Sequence, residues 1–292
     1  MDDSNKKPLV TVGIPFYNSE KYLSAAVKST LNQTHTNLEI ILLDDGSTDS
    51  SLKIAQEFEK NDKRVKVISD GENFGLPKRL NQLSKLAKGK YYARMDADDI
   101  MFSNRIATQV LFLLKNPQVD LLGTGLIAID NNTGILGLRR VGDLDKVTLK
   151  STINGPWAAH PSITGKSSWF KENEYDETLK RAQDFELWIR TVEKSYFARI
   201  KEPLLFYREA STSSMYKRLK ATRYAIKTYW KNKSKTGVIF SLKQTFFSIV
   251  KVIMYFCFFI FRSTDVLIKK RSLKLSDTDY IIYKNKLNEA QQ

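Results

Sequence analysis

The chain has 292 residues, 42% of them hydrophobic, and a single cysteine, Cys257. That is enough apolar material for a packed core; it excludes an internal disulfide framework and fits a reducing compartment. The net charge of +15 is uneven, because residues 216–292 hold 17 Lys or Arg against 4 Asp or Glu and leave 30 against 28 for residues 1–215. The expected organisation is therefore a nearly neutral body, 1–215, and a basic helical tail, 216–292, that carries the charge-selected partner. Met1 to Pro8 is polar and charged and does not read as an export signal.

In chain order, Val10 to Pro15 is a short apolar run ended by proline, a first buried strand. A loop, Phe16-Tyr17-Asn18, follows. Ser19 can cap a helix reaching about Leu31. Leu38 to Leu43 reads as a second strand running into Asp44-Asp45-Gly46-Ser47, with a helix starting at Thr48 or Asp49. Val65 to Ile68 is a third strand. Asn73 to Pro77 is a turn before a helix carrying Leu80, Leu83 and Leu86. Tyr91 to Met95 is a fourth strand, and it ends in Asp96-Ala97-Asp98-Asp99.

Strands alternating with helices predict an α/β fold with a covered, largely parallel sheet. Parallel strands put their carboxyl ends on one edge, where open α/β sheets bind ligands. The clusters at Tyr17, Asp44-Asp45 and Asp96 to Asp99 are then expected to meet. Three acids in four residues repel one another unless a cation lies among them, and hard divalent cations take oxygen ligands. The plain alternative is a solvated turn in which Asp99 or Ser103 caps the next helix. No Walker-type loop occurs, nor a G-x-G-x-x-G after the first strand, so metal and side chains must meet any phosphate charge.

Four segments resemble the family 2 glycosyltransferases: Val12 to Asn18, Leu43 to Asp49, Asn73 to Leu76 and Met95 to Asp99, in that family's order and spacing over roughly residues 9–210. The resemblance implies a GT-A fold, a Rossmann-like mixed sheet, and inverting transfer from a nucleotide sugar, with a UDP-sugar the expected donor. It implies that Pro15, Tyr17 and Asp45 line the nucleoside pocket. It also implies that Asp96 and Asp98 form the D-x-D motif, with Asp98 the direct ligand of Mn²⁺ or Mg²⁺. Taken singly, Tyr17 could be a core aromatic and Asp44-Asp45-Gly46 a plain turn. Arg79 could reach the nucleotide or be a solvated surface residue.

Further on, a helix is expected from Ser103 to Leu114, then a strand from Val119, a hairpin turn at Asp130 to Gly134 and a returning strand to Arg140. His160, in Ala159-His160-Pro161-Ser162, could hold metal, phosphate or acceptor, or be a buried structural histidine. Arg181 to Arg190 begins a helix with Asp184 in its first turn, where the dipole favours an ionised carboxylate. An ionised carboxylate can take a proton from a sugar hydroxyl. Family members often have Glu-Asp followed by Leu-Trp here; this chain has Gln183-Asp184 before Leu187-Trp188. Asp184 is thus the expected catalytic base, the alternative being an ordinary first-turn acid. After the strand Leu204 to Phe206, Arg208 and Ser213 match a family lid pattern over the diphosphate, although Ala210 stands where that pattern has His.

The tail begins with a basic helical stretch, 215–235. The apolar run Phe246 to Phe261 is shorter than the roughly 20 residues a bilayer span requires. A helix in the headgroup region, with its bases on anionic lipid, is the expected reading. The alternatives are one tilted span over 237–261 and a buried helix packed on the body. The run argues against nucleic acid as partner. These features point to a metal-dependent enzyme that is peripheral on the cytoplasmic face of a membrane and extends a lipid-linked or surface glycan. The competing classes are a nucleotidyltransferase and an inactive membrane scaffold on the same fold.

Overall fold

The computed structural model describes residues 7–139, 142–153, 157–209, 215–260 and 272–291. The first half is a β/α alternation: β1 (Val10–Phe16), α1 (Leu23–Leu31), β2 (Leu38–Asp44), α2 (Ser51–Asn61), β3 (Val65–Ile68), α3 (Leu76–Leu86) and β4 (Tyr91–Arg94). These four strands are parallel, in the order β3-β2-β1-β4. Beyond β4 the sheet changes character. It continues through β8 (Thr164–Lys166), β6 (Leu121–Ile129), β9 (Phe197–Arg208) and β5 (Ile100–Met101), with β7 (Ile135–Arg139) paired to β6. The pairs β4–β8, β6–β8, β5–β9 and β6–β7 are antiparallel, and only β6–β9 is parallel. The result is one mixed sheet.

Alternation along the strands fills both faces. Val10, Val12, Ile14 and Phe16 pack with Leu23, Ala26 and Val27 of α1 and with Ile106 and Val110 of α4 (Arg105–Lys115). Ile41, Leu43 and Tyr92 face the other way, onto Leu80 and Leu83 of α3 and an aromatic group of Trp157, Trp169, Phe170, Trp188 and Phe197. Gly13 lies on this second face for a steric reason, since a Cβ there would stand 2.5 Å from the Tyr92 hydroxyl. Pro15 is buried in β1 beyond the last residue paired with β4, so its missing N–H breaks no ladder on that side.

Several boundaries differ from the sequence expectation. Ser19 does not cap α1: its hydroxyl donates to the Tyr17 carbonyl, and the helix starts at Leu23 after a turn. Neither Asp99 nor Ser103 caps α4, where Asn104 holds the N-cap position. The strand expected at Leu204 to Phe206 is the end of a 12-residue β9. It passes Pro203 through register shifts opposite Thr124 and Gly125, which is how a proline fits inside it. Arg140, the expected end of β7, lies outside the described residues.

A short α5 (Leu149–Ile153) precedes β8, and α6 (Ser167–Glu172) and α7 (Gln183–Thr191) follow it. The carboxyl-terminal part forms α8 (Met215–Lys231), α9 (Lys233–Thr236), α10 (Val238–Ile260) and α11 (Asp277–Gln291). Residues 210–214, next to the expected domain boundary at 215, lie outside the described residues. The helices beyond them are fastened to the body. Lys231 pairs with Asp176 and Glu186, Lys235 pairs with Glu193, and Leu138 and Leu273 form a β-bridge. Leu287 and Ala290 of α11 are buried with Ile100, Phe102 and Phe206. Among the described residues, no helix is long and apolar enough to cross a membrane.

Candidate active site

The carboxyl ends of β1, β2 and β4 share one edge of the sheet. Phe16 is in register with Asp44 and Gly13 with Arg94, and the Met95 N–H donates to the Gly13 carbonyl at 3.2 Å. Tyr17 leaves β1 with 49% of its surface exposed, so it is a free aromatic face rather than a core residue. The loop behind it is stitched to the β2 loop. Asn18, in the left-handed region at φ 47°, accepts from the Thr48 N–H at 2.8 Å, and its own N–H donates to the Ser47 hydroxyl.

Asp45 is nearly buried. Its Oδ1 accepts from the Phe74 N–H, the Gly75 N–H and Arg79 Nε at 2.8–3.1 Å, and its Oδ2 accepts from Gly75 at 3.0 Å. The backbone amides can point at Asp45 because Gly75 takes φ 86° before α3 begins, a conformation other residues adopt at a cost. Arg79 does not offer itself to a ligand. It is fully buried and spends its five N–H groups on Asp45, both oxygens of Asp70, Gln82 and the Glu72 carbonyl. The direct donor contact expected of Arg79 is thus corrected to an indirect role: it holds Asp45 and the 70–75 turn together.

Past β4, the carboxylates of Asp96, Asp98 and Asp99 bring ligand atoms within 4.8 Å of one another. Burial, then the charge of Asp96, pushes Asp98 up to about 6. Burial, then Asp98 and Asp96, pushes Asp99 well above the usual carboxylate range. Asp99 Oδ1 accepts the Arg208 N–H at 2.8 Å, while its Oδ2 is buried without a hydrogen-bond partner among the described residues. Crowded, mutually repelling oxygen ligands of this kind fit a hard divalent cation. Asp96 is also held by Arg94, 2.6 Å away. Arg208 is at the end of β9 rather than on a mobile lid. Its Nε donates to the Asp98 carbonyl, its Nη1 donates to the Asp130 carbonyl, and its guanidinium stacks 4.4 Å from the Tyr22 ring centroid. So Arg208 braces the acidic turn. Ser213, its expected companion, lies outside the described residues.

A cavity of about 1180 Å³ opens beside this turn, and Asp96, Arg94, His160 and Asp184 all line it. Tyr17, Asp45 and Asp98 do not line it, so Asp96 is the residue shared between the carboxyl edge of the sheet and the cavity. Asp184 sits in the first turn of α7, which Ala182 starts from a left-handed φ of 58°. Burial raises its pKa, against the N–H of Phe185 and the charge of Arg94, which lower it. The dipole argument from sequence gave only the lowering part; burial outweighs it. Glu186 is buried and pairs with the more exposed Arg190 and Lys231. His160 shares a 2.8 Å hydrogen bond with the Tyr175 hydroxyl, and burial holds it well below its ordinary pKa, so it is neutral. Arg94 is absent from the residues the sequence singles out. Among the described residues its Nε and Nη1 are buried without hydrogen-bond partners, and it lines the same cavity as His160 and Asp184. A charged residue just inside the end of a buried strand was the available signal.

The mixed sheet with its acidic turn at the end of β4 defines a GT-A fold. The mannosyltransferase PcManGT of Pyrobaculum calidifontis, solved with GDP-Man and Mn²⁺, superposes with a TM-score of 0.62 at 15% identity over 99% of this chain and 86% of that one. Residues 11–177 match the family model Glycosyl transferase family 2. An uncharacterized glycosyltransferase of Methanocaldococcus jannaschii is 34% identical over 84% of this chain and 87% of that protein. Chondroitin synthase of Escherichia coli is 29% identical over 67% of this chain and 28% of that protein. The chain belongs to glycosyl transferase family 2.

Proposed function

We propose that this glycosyltransferase is metal-dependent and inverting, and that it moves a sugar from a UDP-sugar or similar nucleoside diphosphate sugar to a hydroxyl of a lipid-linked or surface glycan. The observation that carries the reading is that Asp96, one of the three clustered acids, and Asp184 line the same cavity. Tyr17 supplies a face for the base, Pro15 shapes the floor behind it, and Asp45 turns to the nucleoside its Oδ2, which accepts only from the Gly75 N–H that it shares with Oδ1. Asp96 and Asp98 would hold Mn²⁺ or Mg²⁺, which would neutralise the diphosphate as a Lewis acid. Asp184 takes the proton from the acceptor hydroxyl as that oxygen attacks the anomeric carbon from the side opposite the diphosphate, so the configuration inverts. Arg94 fixes Asp96 and adds positive charge near Asp184.

The exposed apolar face of α10, with Lys243 and Lys251 also exposed, supports a peripheral seat on an anionic, cytoplasmic membrane surface. The proposal is tested by paired variants. Asp98→Ala should lose Mn²⁺-dependent binding of the UDP-sugar. Asp184→Asn should keep that binding and lose transfer by about 10²–10⁴-fold, the usual worth of a general base. Equal transfer rates in Asp184→Asn and the parent would end the base assignment.

A further inference from the structure

The helix α7 carries the proposed base, yet its own sequence does little to fix its first turn. Ala182, at the N-cap position, takes a left-handed φ of 58°, and among the described residues no side chain caps the helix. For a residue with a Cβ that backbone is strained, and it persists where surrounding contacts hold it. The carboxyl-terminal helices supply such contacts. Lys231, the last residue of α8, sets its Nζ 3.2 Å from Glu186 in that first turn and 2.6 Å from Asp176 in the loop before it. Tyr229 meets Phe185 edge to face, with ring centroids 5.5 Å apart. At the other end of α7, Lys235 of α9 donates to the Arg190 carbonyl at 2.8 Å and pairs with Glu193.

The two carboxylates that Lys231 joins belong to the segments that carry cavity groups. Asp176 follows Tyr175, whose hydroxyl shares the hydrogen bond with His160 and whose backbone is clamped by Asn81 at 2.8 and 3.0 Å. Glu186 follows Asp184 in the same turn of α7. One ammonium thus ties the support of His160 to the turn that bears Asp184. Neutralising Glu186 does not by itself call for Lys231, since Arg190 also pairs with Glu186, at 3.1 Å. What Lys231 adds is the link to Asp176. We infer that Lys231 is a positioning residue for transfer: it locks the first turn of α7 to the Tyr175–Asp176 segment and so holds Asp184 in place at the cavity. The tail then frames the active site, a role apart from any contact with lipid. The inference rests on the reading of Asp184 as the base.

The test uses the full chain and two readouts. One is UDP release, with Mn²⁺, from UDP-glucose, UDP-galactose and UDP-N-acetylglucosamine. The other is amide hydrogen exchange, which needs no substrate. Lys231→Met keeps most of the aliphatic stem and leaves Glu186 paired with Arg190, so the fold should stand. In that variant kcat should fall about tenfold or more, with KM for the UDP-sugar within about twofold of the parent. Exchange over residues 183–187 should quicken about tenfold while β1 to β4 are unchanged. Lys231→Arg, which can still bridge two carboxylates, should restore most of both. Lys233→Met, which removes the same charge from α9, should match the parent. Added to Asp184→Asn, Lys231→Met should lower the rate no further, because a group acting through Asp184 has nothing left to act on. Parent-like kcat or parent-like exchange in Lys231→Met, an equal loss in Lys233→Met, or a further loss on top of Asp184→Asn would each overturn the inference. No UDP release by the parent from any of the three donors would instead strike the transferase reading, and exchange would still decide whether Lys231 holds α7.

Discussion

Asp184, the proposed base, shows how an acid facing a cavity weighs against the fold that holds it. Its carboxyl is an acid whose folded-state pKa lies above the ordinary value, because burial outweighs the first-turn amides and Arg94. Such a group is harder to ionise in the folded than in the unfolded state. Its contribution is therefore a cost at pH values above the raised value, and that cost fades as the pH falls through it. Asp184→Asn is accordingly expected to raise the thermal midpoint at pH 7, with the gain disappearing below about pH 4, near the unfolded pKa of an aspartate. Calorimetry at the two pH values checks this. By the same shift, the acid limb of the transfer rate in the parent should lie above the pH at which an ordinary aspartate titrates. Arg79 is the opposite case, a residue whose charge is committed. Arg79→Met leaves Asp45 nearly buried without its cation, and the expected loss is about 3–5 kcal/mol, the usual cost of breaking a buried pair. Urea unfolding would read it. Arg79→Lys should recover little of the loss, since one ammonium cannot replace five N–H groups directed at four residues.

At the scale of elements, β1 to β4 were legible because each strand is a mostly apolar run with a Pro or Asp at its end or within two residues of it, and each intervening helix shows its 3.6-residue apolar repeat. Tyr17 and Asp45 were legible as residues of the carboxyl edge of the sheet, since each is the first residue past a buried strand. The second half was less legible for a physical reason. β8 has three residues and β5 has two, too few for any periodicity, and each exists because a neighbouring strand is there to pair with it. α11 was not found either. Its apolar residues are sparse, and what holds it is a site formed by Ile100, Phe102 and Phe206 from distant segments. That contact has a consequence. Leu287→Ala should cost about 2–5 kcal/mol, the range for emptying a buried leucine site, although it lies within the basic tail. Denaturant titration checks it, and a change under about 0.5 kcal/mol, typical of surface positions, would mean that α11 is dispensable to the body.

For the molecule as a whole, the uneven charge and the apolar stripe of α10 act together. Ile239, Leu242, Phe246, Ile249, Ile253 and Phe256 recur in steps of three and four and are all exposed. An amphipathic face of this kind on a basic segment suits a lipid–water boundary. Flotation with vesicles should show binding to anionic but not to neutral bilayers, weakened by salt because screening shortens the reach of the basic residues to about 8 Å at physiological ionic strength. The double variant Phe246→Glu, Ile249→Glu should release the protein. Undiminished flotation of that variant would remove α10 from the membrane contact.

Read as a linear string, this chain determined its own alternation of strand and helix, its acidic turn and the charge split between body and tail. Each of these is a local matter of residue type and spacing. Only the folded chain decided that Arg79 is committed to Asp45 and Asp70, that Arg208 braces the turn at Asp98, and that Asp96, Asp184 and Lys251 border one cavity. Such facts depend on which distant groups reach a side chain first and exclude water from it. Spacing along a sequence carries no record of that competition.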